Sequence, residues 1–371
     1  MRFRGGLPGV HLVAAARPNL PKLAALWHAL AEAPPICAPC LLHTGQHHDP
    51  AMFGGLLRDL GLPAPHISLG ISGGSHAELT GRTIIACEAA WRDAPRPALV
   101  VVAGDVDATL AAALAARKLA IPVAHLEAGL RSTGPADADM PEEINRRAVD
   151  AVSTLLWAPD EVTAARLLAE GHAPGAVRAV GNAMIDTLRR SLPAARDMPW
   201  RLELPPRFGV VTLHRPVNVD DPARLAQLLD ALGQTAEGLP LVWPLHPRSR
   251  ARLAEFGLEV PEGVRLLPPL SYLEFIALLL RARLVATDSG GVQEEATGLD
   301  LPCLTLREAT ERPVTLEAGS NRLVQAPALA AAVAAVLAGD WPRARSIPLW
   351  DGKAGARMRD HLATFLQCRA V

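Results

Sequence analysis

Several acidic, basic and histidine side chains of this 371-residue chain fall just past short apolar runs, where a strand would end. The run ALVVVAGD closes on Gly104 and Asp105, and IPVAHLEAG reaches Glu127 before Ala128 and Gly129. If those strands are neighbours in one parallel sheet, both carboxylates emerge at one edge, an arrangement suited to moving protons. Asp105 could equally cap the helix that follows it, whereas Glu127, coming after His125 and Leu126, is poorly explained as a cap. In MPEEINRR, Pro141 opens a helix with Glu142 and Glu143 in its first turn, a pattern that ordinary helix stabilisation already accounts for. Arg146 stands four residues after Glu142 and could pair with it or reach a phosphate. FGVVTLHRPVN ends at His214, which could exchange protons near neutral pH, donate to a pyrophosphate, or pack beneath the turn.

A second group suits an anion. LVATDSGGVQEEA reads as a strand, then Ser289, Gly290 and Gly291, then a helix whose free N–H groups could cradle a diphosphate. Glu295, one turn on, could accept hydrogen bonds from ribose hydroxyls or lie on a solvated face. Arg312 in TERPVTLEAG, with Arg17 and Lys22 in AARPNLPK, adds positive charge after strands in both halves. Neither the G-x-G-x-x-G fingerprint nor a P-loop is present, so dinucleotide-cofactor and P-loop readings fail.

The elements that must position these residues alternate between short apolar runs and longer helical stretches, which indicates an α/β fold with parallel sheets. Strands are expected at 10–16, 36–43, 98–103, 121–127, 154–158 and 177–180. The alternation restarts at 208–213, 241–244, 264–266, 284–287, 303–306 and 322–324. Helices are expected at 22–31, 108–119, 161–170, 222–231, 272–281 and 292–297, and the alanine-rich 328–338 reads as an ordinary buried helix. The interval 191–207, with Pro193, Pro199, Pro205 and Pro206, lacks periodicity and reads as the linker. Domains are therefore expected at 1–190 and 208–350, facing each other across a cleft, with 351–371 as a terminal segment.

Composition narrows the function classes. Apolar residues make up 50% of the chain and charged residues 20%, enough for two cores and too apolar for disorder. Net charge is −1, which lacks the positive surplus of a nucleic-acid binder. No apolar stretch of about 18–20 residues could span a bilayer, so no membrane partner and a cytoplasmic location are expected. Five cysteines argue against a disulfide framework. Cys37 and Cys40 form a C-x-x-C near His43, His47 and His48, but strand alternation would turn them to different faces, and no metal is expected.

These residues sit in a longer series of ordered motifs: ARPNLPK, HTGQHHD, AGDVDATLAAALAARKLAIPVAHLEAGLRS, MPEEINRRAVD, VGNAMIDTL, VTLHRPVNVDD, LSYLEFIALL, TDSGGVQEEA, TERPVTLEAGSNRLV and DGKAGARM. Along nearly its whole length the chain resembles the non-hydrolysing UDP-N-acetylglucosamine 2-epimerases. The resemblance implies two Rossmann-like domains of the GT-B type, a terminal helix crossing back to the first domain, no cofactor, and a homodimer. It implies inversion at C2 of a UDP-sugar through elimination of UDP to a 2-acetamidoglucal and re-addition. By motif, the acid/base candidates are Asp105, Glu127, Glu142 and His214. Substrate contacts would come from Arg17, Lys22, Phe275, Ser289, Gly290, Gly291, Glu295 and Arg312, with Arg146 beside them.

Two segments depart from the family pattern. His214-Arg215-Pro216-Val217-Asn218 replaces H-R-R-E-N, removing a second arginine and an acid that serve an activator site in some members. The TGQH loop, which contributes to the same site, continues here as His48-Asp49. Leu270-Ser271 stands where a glutamine often precedes the tyrosine–leucine pair. Four other readings remain. A hydrolysing epimerase would release UDP and N-acetylmannosamine from the same glycal, and a related epimerase would take a UDP-diacetamido uronic acid. A GT-B transferase or a nucleotide-sugar sensor would leave the three carboxylates without work.

Overall fold

Among the described residues thirteen strands build two parallel sheets, and the central strands are apolar and buried on both faces, the pattern that sheets covered by helices on both sides impose. The computed structural model describes residues 6–45, 50–92, 95–132, 140–200 and 203–369. It divides into two units, Met1–Arg189 with Pro348–Val371, and Arg190–Ile347.

In the first unit the elements run β1 (Gly9–Ala14), α1 (Asn19–Ala31), β2 (Ala38–His43), α2 (Pro50–Asp59), β3 (Ile67–Ser68), α3 (His76–Arg92) and β4 (Leu99–Ala103). They continue as α4 (Asp107–Lys118), β5 (Val123–Leu126), α5 (Pro141–Val152), β6 (Leu155–Ala158), α6 (Glu161–Ala169), β7 (Val177–Ala179) and α7 (Ala183–Asp197). The sheet order is β3-β2-β1-β4-β5-β6-β7, so its winding reverses between β1 and β4. Trp91, Val100, Val102 and the alanine face of α4 fill one side of the sheet.

The second unit repeats the plan with β8 (Gly209–Thr212), α8 (Pro216–Val219), α9 (Pro222–Ala236), β9 (Leu241–Pro244), α10 (Pro247–Phe256), β10 (Val264–Leu267) and α11 (Tyr272–Leu279). Then come β11 (Val285–Thr287), α12 (Gly290–Gly298), β12 (Cys303–Thr305), α13 (Pro313–Glu317), β13 (Asn321–Leu323) and α14 (Leu329–Ala338). Its order, β10-β9-β8-β11-β12-β13, reverses between β8 and β11. Caps set several helix starts: Asp221 accepts the Arg224 amide at α9, and Ser271 with Glu274 forms a capping box at α11.

The last helix, α15 (Ala354–Arg369), belongs to the first unit and packs on α1. Gly355 makes this approach possible, since a methyl there would sit 2.2 Å from the Ala25 carbonyl oxygen. Its amide donates to Asp186 at 2.8 Å, and the Trp157 indole N–H donates to His361 at 3.1 Å.

Two sequence expectations need correction. The interval 191–207 is not irregular from its start: α7 runs on to Asp197 through Pro193, with Ala195 fully buried. The packing of one helix face holds these residues helical despite the proline. The alanine-rich helix α14 is not buried throughout: Leu329 and Val333 are buried, while Ala332 and Val336 pack against the core only partly buried. β3 and its flanking helices α2 and α3 have no counterpart among the expected elements. No helix among the described residues is long and apolar enough to cross a membrane.

Candidate active site

In doubly wound sheets, ligands bind past the carboxyl edge where the winding reverses. The candidate residues gather at that edge in both units. After β1 come Arg17 and, in the first turns of α1, Asn19 and Lys22. After the adjoining β4 come Gly104 and Asp105. β4 also pairs in parallel with β5, aligning Ala103 with Leu126, so Asp105 and Glu127 leave the sheet at the same edge.

Glu127 has a φ of 70°, a left-handed conformation uncommon outside glycine, which costs on the order of 1 kcal/mol and clusters at functional sites. Its amide donates to the Trp157 carbonyl at 3.1 Å, and its buried carboxylate meets the Lys22 ammonium at 2.5 Å. Gly104, φ 69°, lets these groups close up: a methyl there would lie 3.1 Å from the Asn19 amide nitrogen and 3.3 Å from Lys22 Nζ. Asn19 fastens the two strand ends by donating to the Ala103 carbonyl at 2.8 Å and accepting from the Ala16 amide at 2.7 Å.

Asp105 does not cap α4, whose N-cap is Val106 without a side-chain bond. Its carboxylate pairs with Arg146, and its carbonyl accepts from Asn145 at 2.9 Å. Arg146 also donates to Ser132 at 3.0 Å and Glu143 at 3.1 Å, so its expected partner Glu142 is not the one it takes. The inward acid of the first turn of α5 is Glu143, which also holds Arg147 at 2.9 Å. Glu142 is exposed and makes no hydrogen bond or ion pair among the described residues. The His47–Asp49 part of the TGQH loop lies outside the described residues.

Behind these groups His125 is fully buried, its Nδ1 2.6 Å from Asp150 and its Nε2 2.9 Å from the Gly104 carbonyl. The ring thus links Asp150 to the Gly104 turn through both of its nitrogens. Burial would push Asp150 up, but the charges and hydrogen bonds of His125 and Arg131 outweigh it and hold its carboxyl below the usual range. This network braces the Gly104–Asp105 turn from beneath. Cys37 and Cys40, by contrast, are buried thiols pushed up to about 11 by desolvation, and His43 stacks on Phe53 with ring centres 3.9 Å apart.

In the second unit His214 and Arg215 follow β8, and Asp288 and Ser289 follow its neighbour β11. Asp288 receives the His214 ring at 3.0 Å, together with the amides of His214 and Arg215, each also at 3.0 Å. Ser289 is the N-cap of α12 without making a side-chain cap, so the first-turn N–H groups at Gly290 and Gly291 are open to an anion. Gly290 is confined, since a methyl there would sit 2.7 Å from Glu311 Oε1. Glu311 is held by Arg307 at 2.8 Å and Arg215 at 3.3 Å, while Arg312 reaches Glu294 at 3.2 Å.

One helical turn further, Glu295 is buried and pushed up to about 8 by desolvation, reinforced by the Glu294 charge and opposed by Tyr272. The buried Tyr272 hydroxyl beside it lacks a well-formed hydrogen bond, and burial with the Glu295 charge drives its pKa well up. Phe275, half-buried, lies one turn along α11 from Tyr272.

The first unit therefore carries an acid–base cluster, and the second carries an anion cradle. A family model described as UDP-N-acetylglucosamine 2-epimerase matches residues 29–363. The chain belongs to the UDP-N-acetylglucosamine 2-epimerase family. A UDP-N-acetylglucosamine 2-epimerase of Methanocaldococcus jannaschii is 40% identical over 296 residues, 76% of this chain and 80% of that protein. A UDP-2,3-diacetamido-2,3-dideoxy-D-glucuronate 2-epimerase of Pseudomonas aeruginosa is 40% identical over 314 residues, 84% of this chain and 86% of that protein. The crystal structure of the M. jannaschii enzyme with UDP-GlcNAc and UDP superposes with a TM-score of 0.86 at 36% identity, covering 96% of this chain and 99% of that one. These neighbours share the GT-B type of fold, with two Rossmann-like parallel sheets.

Within this family member, sequence reasoning missed Asn19, His125, Asn145, Asp150, Tyr272 and Asp288. Asn19 and Asp288 adjoin candidates at strand ends, a signal that was available. His125 and Asp150 become partners only when β5 packs against α5, which no local pattern announces.

Proposed function

We propose that this chain interconverts UDP-N-acetylglucosamine and UDP-N-acetylmannosamine by inversion at C2, in the cytoplasm and without a cofactor. The observation that supports this reading is that Asp105 and Glu127, each with its own cation, follow the neighbouring strands β4 and β5 at one carboxyl edge of the sheet. The second unit supplies the complementary need, a helix N-terminus with open N–H groups for a diphosphate.

In the forward step the C1–O bond breaks and its electron pair leaves with the diphosphate. The C2 hydrogen passes as a proton to a carboxylate, and a C1–C2 double bond forms. Re-addition of UDP, with a proton delivered to the opposite face, completes the inversion. Asp105, Glu127, Glu142 and His214 would carry the protons. Ser289, Gly290, Gly291 and Arg312 would receive the diphosphate, Glu295 the ribose and Phe275 the base, with Arg17, Lys22 and Arg146 adding positive charge. A diphosphate near Lys22 or Arg146 would compete with Glu127 or Asp105 for its cation and so free a carboxylate for the C2 proton.

Starting from either sugar nucleotide, the purified protein should reach one equilibrium mixture of the two. A mixture that differs with the starting sugar, or no interconversion by folded protein, contradicts the reading. The P. aeruginosa relative favours a second substrate, a UDP-diacetamido uronic acid. Turnover of that sugar with none of UDP-N-acetylglucosamine would select it. We infer a homodimer as well, because Ile85 on α3 and Ile144 on α5 are 69% and 52% exposed on helices that both pack against α4.

A further inference from the structure

We propose that Asp288 is a positioning residue that holds the Nδ1 hydrogen of His214 and so makes Nε2 the atom through which His214 exchanges protons with substrate. The inference rests on the reading of His214 as an acid–base group. It follows from the sheet: Thr212 of β8 is aligned with Thr287 of β11, so the residues just beyond them meet at the carboxyl edge.

Asp288 is fully buried there and receives four donors. The His214 and Arg215 amides lie 3.0 Å from Oδ2, the Asn218 side-chain amide lies 3.2 Å from Oδ2, and His214 Nδ1 lies 3.0 Å from Oδ1. Burial would push this carboxyl up, but the hydrogen bond and charge of His214, with the Arg215 and Asn218 donors, outweigh it and hold Asp288 below the usual range. An ionised carboxylate only accepts hydrogen bonds, so His214 Nδ1 must carry hydrogen. The neutral ring then has its lone pair on Nε2.

The rest of the surroundings leaves Nε2 available. His246 packs against the His214 ring with centres 5.4 Å apart, and Arg215 turns away to Glu311 at 3.3 Å. Nε2 makes no hydrogen bond among the described residues, and the His214 side chain is 38% exposed. Asp288 also directly precedes Ser289 and Gly290, so one buried carboxylate fixes both the ring and the start of the anion cradle. The carboxylate has a preference an amide lacks: the amide of Asp288→Asn can donate to Nδ1, which would move the ring hydrogen to Nε2.

The test uses the full-length protein with ¹⁵N-labelled histidine, assigning His214 by its loss in His214→Gln. In the unaltered protein the neutral His214 ring should carry its hydrogen on Nδ1, and a hydrogen on Nε2 would overturn the proposal without recourse to any variant. Asp288→Asn should move that hydrogen to Nε2 and lower kcat by about 10- to 1,000-fold, with KM for the UDP-sugar changed less than about threefold. A folded Asp288→Asn with undiminished kcat, while His214→Gln is inactive, refutes the role of Asp288 alone. His214→Gln with undiminished turnover overturns the acid–base reading of His214 and this inference together.

Discussion

Lys22 and Glu127 close a 2.5 Å ion pair in a site that is almost wholly buried, and Arg146 pairs with the more open Asp105. Each acid can be tested with little change in shape. Asp105→Asn and Glu127→Gln should each lower kcat by about 10²- to 10⁴-fold while UDP affinity, measured by calorimetry, stays within a few-fold of the original. A variant that keeps its turnover would remove that acid from the mechanism. Asp105 and Glu127 were legible in sequence because strand ends and parallel neighbours place them, whatever packs around them. That Arg146 pairs with Glu143 was not legible, since both acids stand in the first turn of α5 and only tertiary packing decides which one turns inward. The strand-end place of Asp288 beside Ser289 was legible, but its partners were not, because its four donors come from residues about 70 positions away.

At the scale of elements, two glycines carry the helix placements that matter. Gly290 begins α12 against Glu311, which Arg307 and Arg215 keep from swinging aside. Gly290→Ala should therefore weaken UDP binding by about 10- to 100-fold, or roughly 1.4–2.8 kcal/mol, with a smaller effect on unfolding. Unchanged affinity would mean that Glu311 yields and that the start of α12 is not the anion site. Gly355 lets α15 approach the backbone of α1, and its neighbour there is a carbonyl that cannot rotate away. Gly355→Ala should lower stability by about 1–3 kcal/mol in chemical denaturation, and an unchanged midpoint would show the contact to be slack. The α/β alternation was legible because buried parallel strands are uninterrupted apolar runs. The continuation of α7 through Pro193 was not, because a proline locally reads as a break and only one buried helix face offsets it.

Across the whole molecule, Glu295 ties stability to pH. Its carboxyl moves from an ordinary 4.5 unfolded to about 8 in the fold, so the folded state binds more protons between those values. Stability should accordingly fall as pH rises from about 4.5 to 8, and Glu295→Gln should flatten that part of the melting-temperature profile. A profile unchanged by the substitution would place the proton elsewhere. The assembly has its own readout: Ile85→Glu with Ile144→Glu should shift sedimentation from dimer toward monomer if that helical face is the interface. The reaction is tested most directly by proton NMR of the protein with UDP-N-acetylglucosamine in heavy water. The account predicts deuterium at C2, UDP-N-acetylmannosamine accumulating, and little free UDP. Free UDP with N-acetylmannosamine, or product that keeps its original hydrogen at C2, would contradict it.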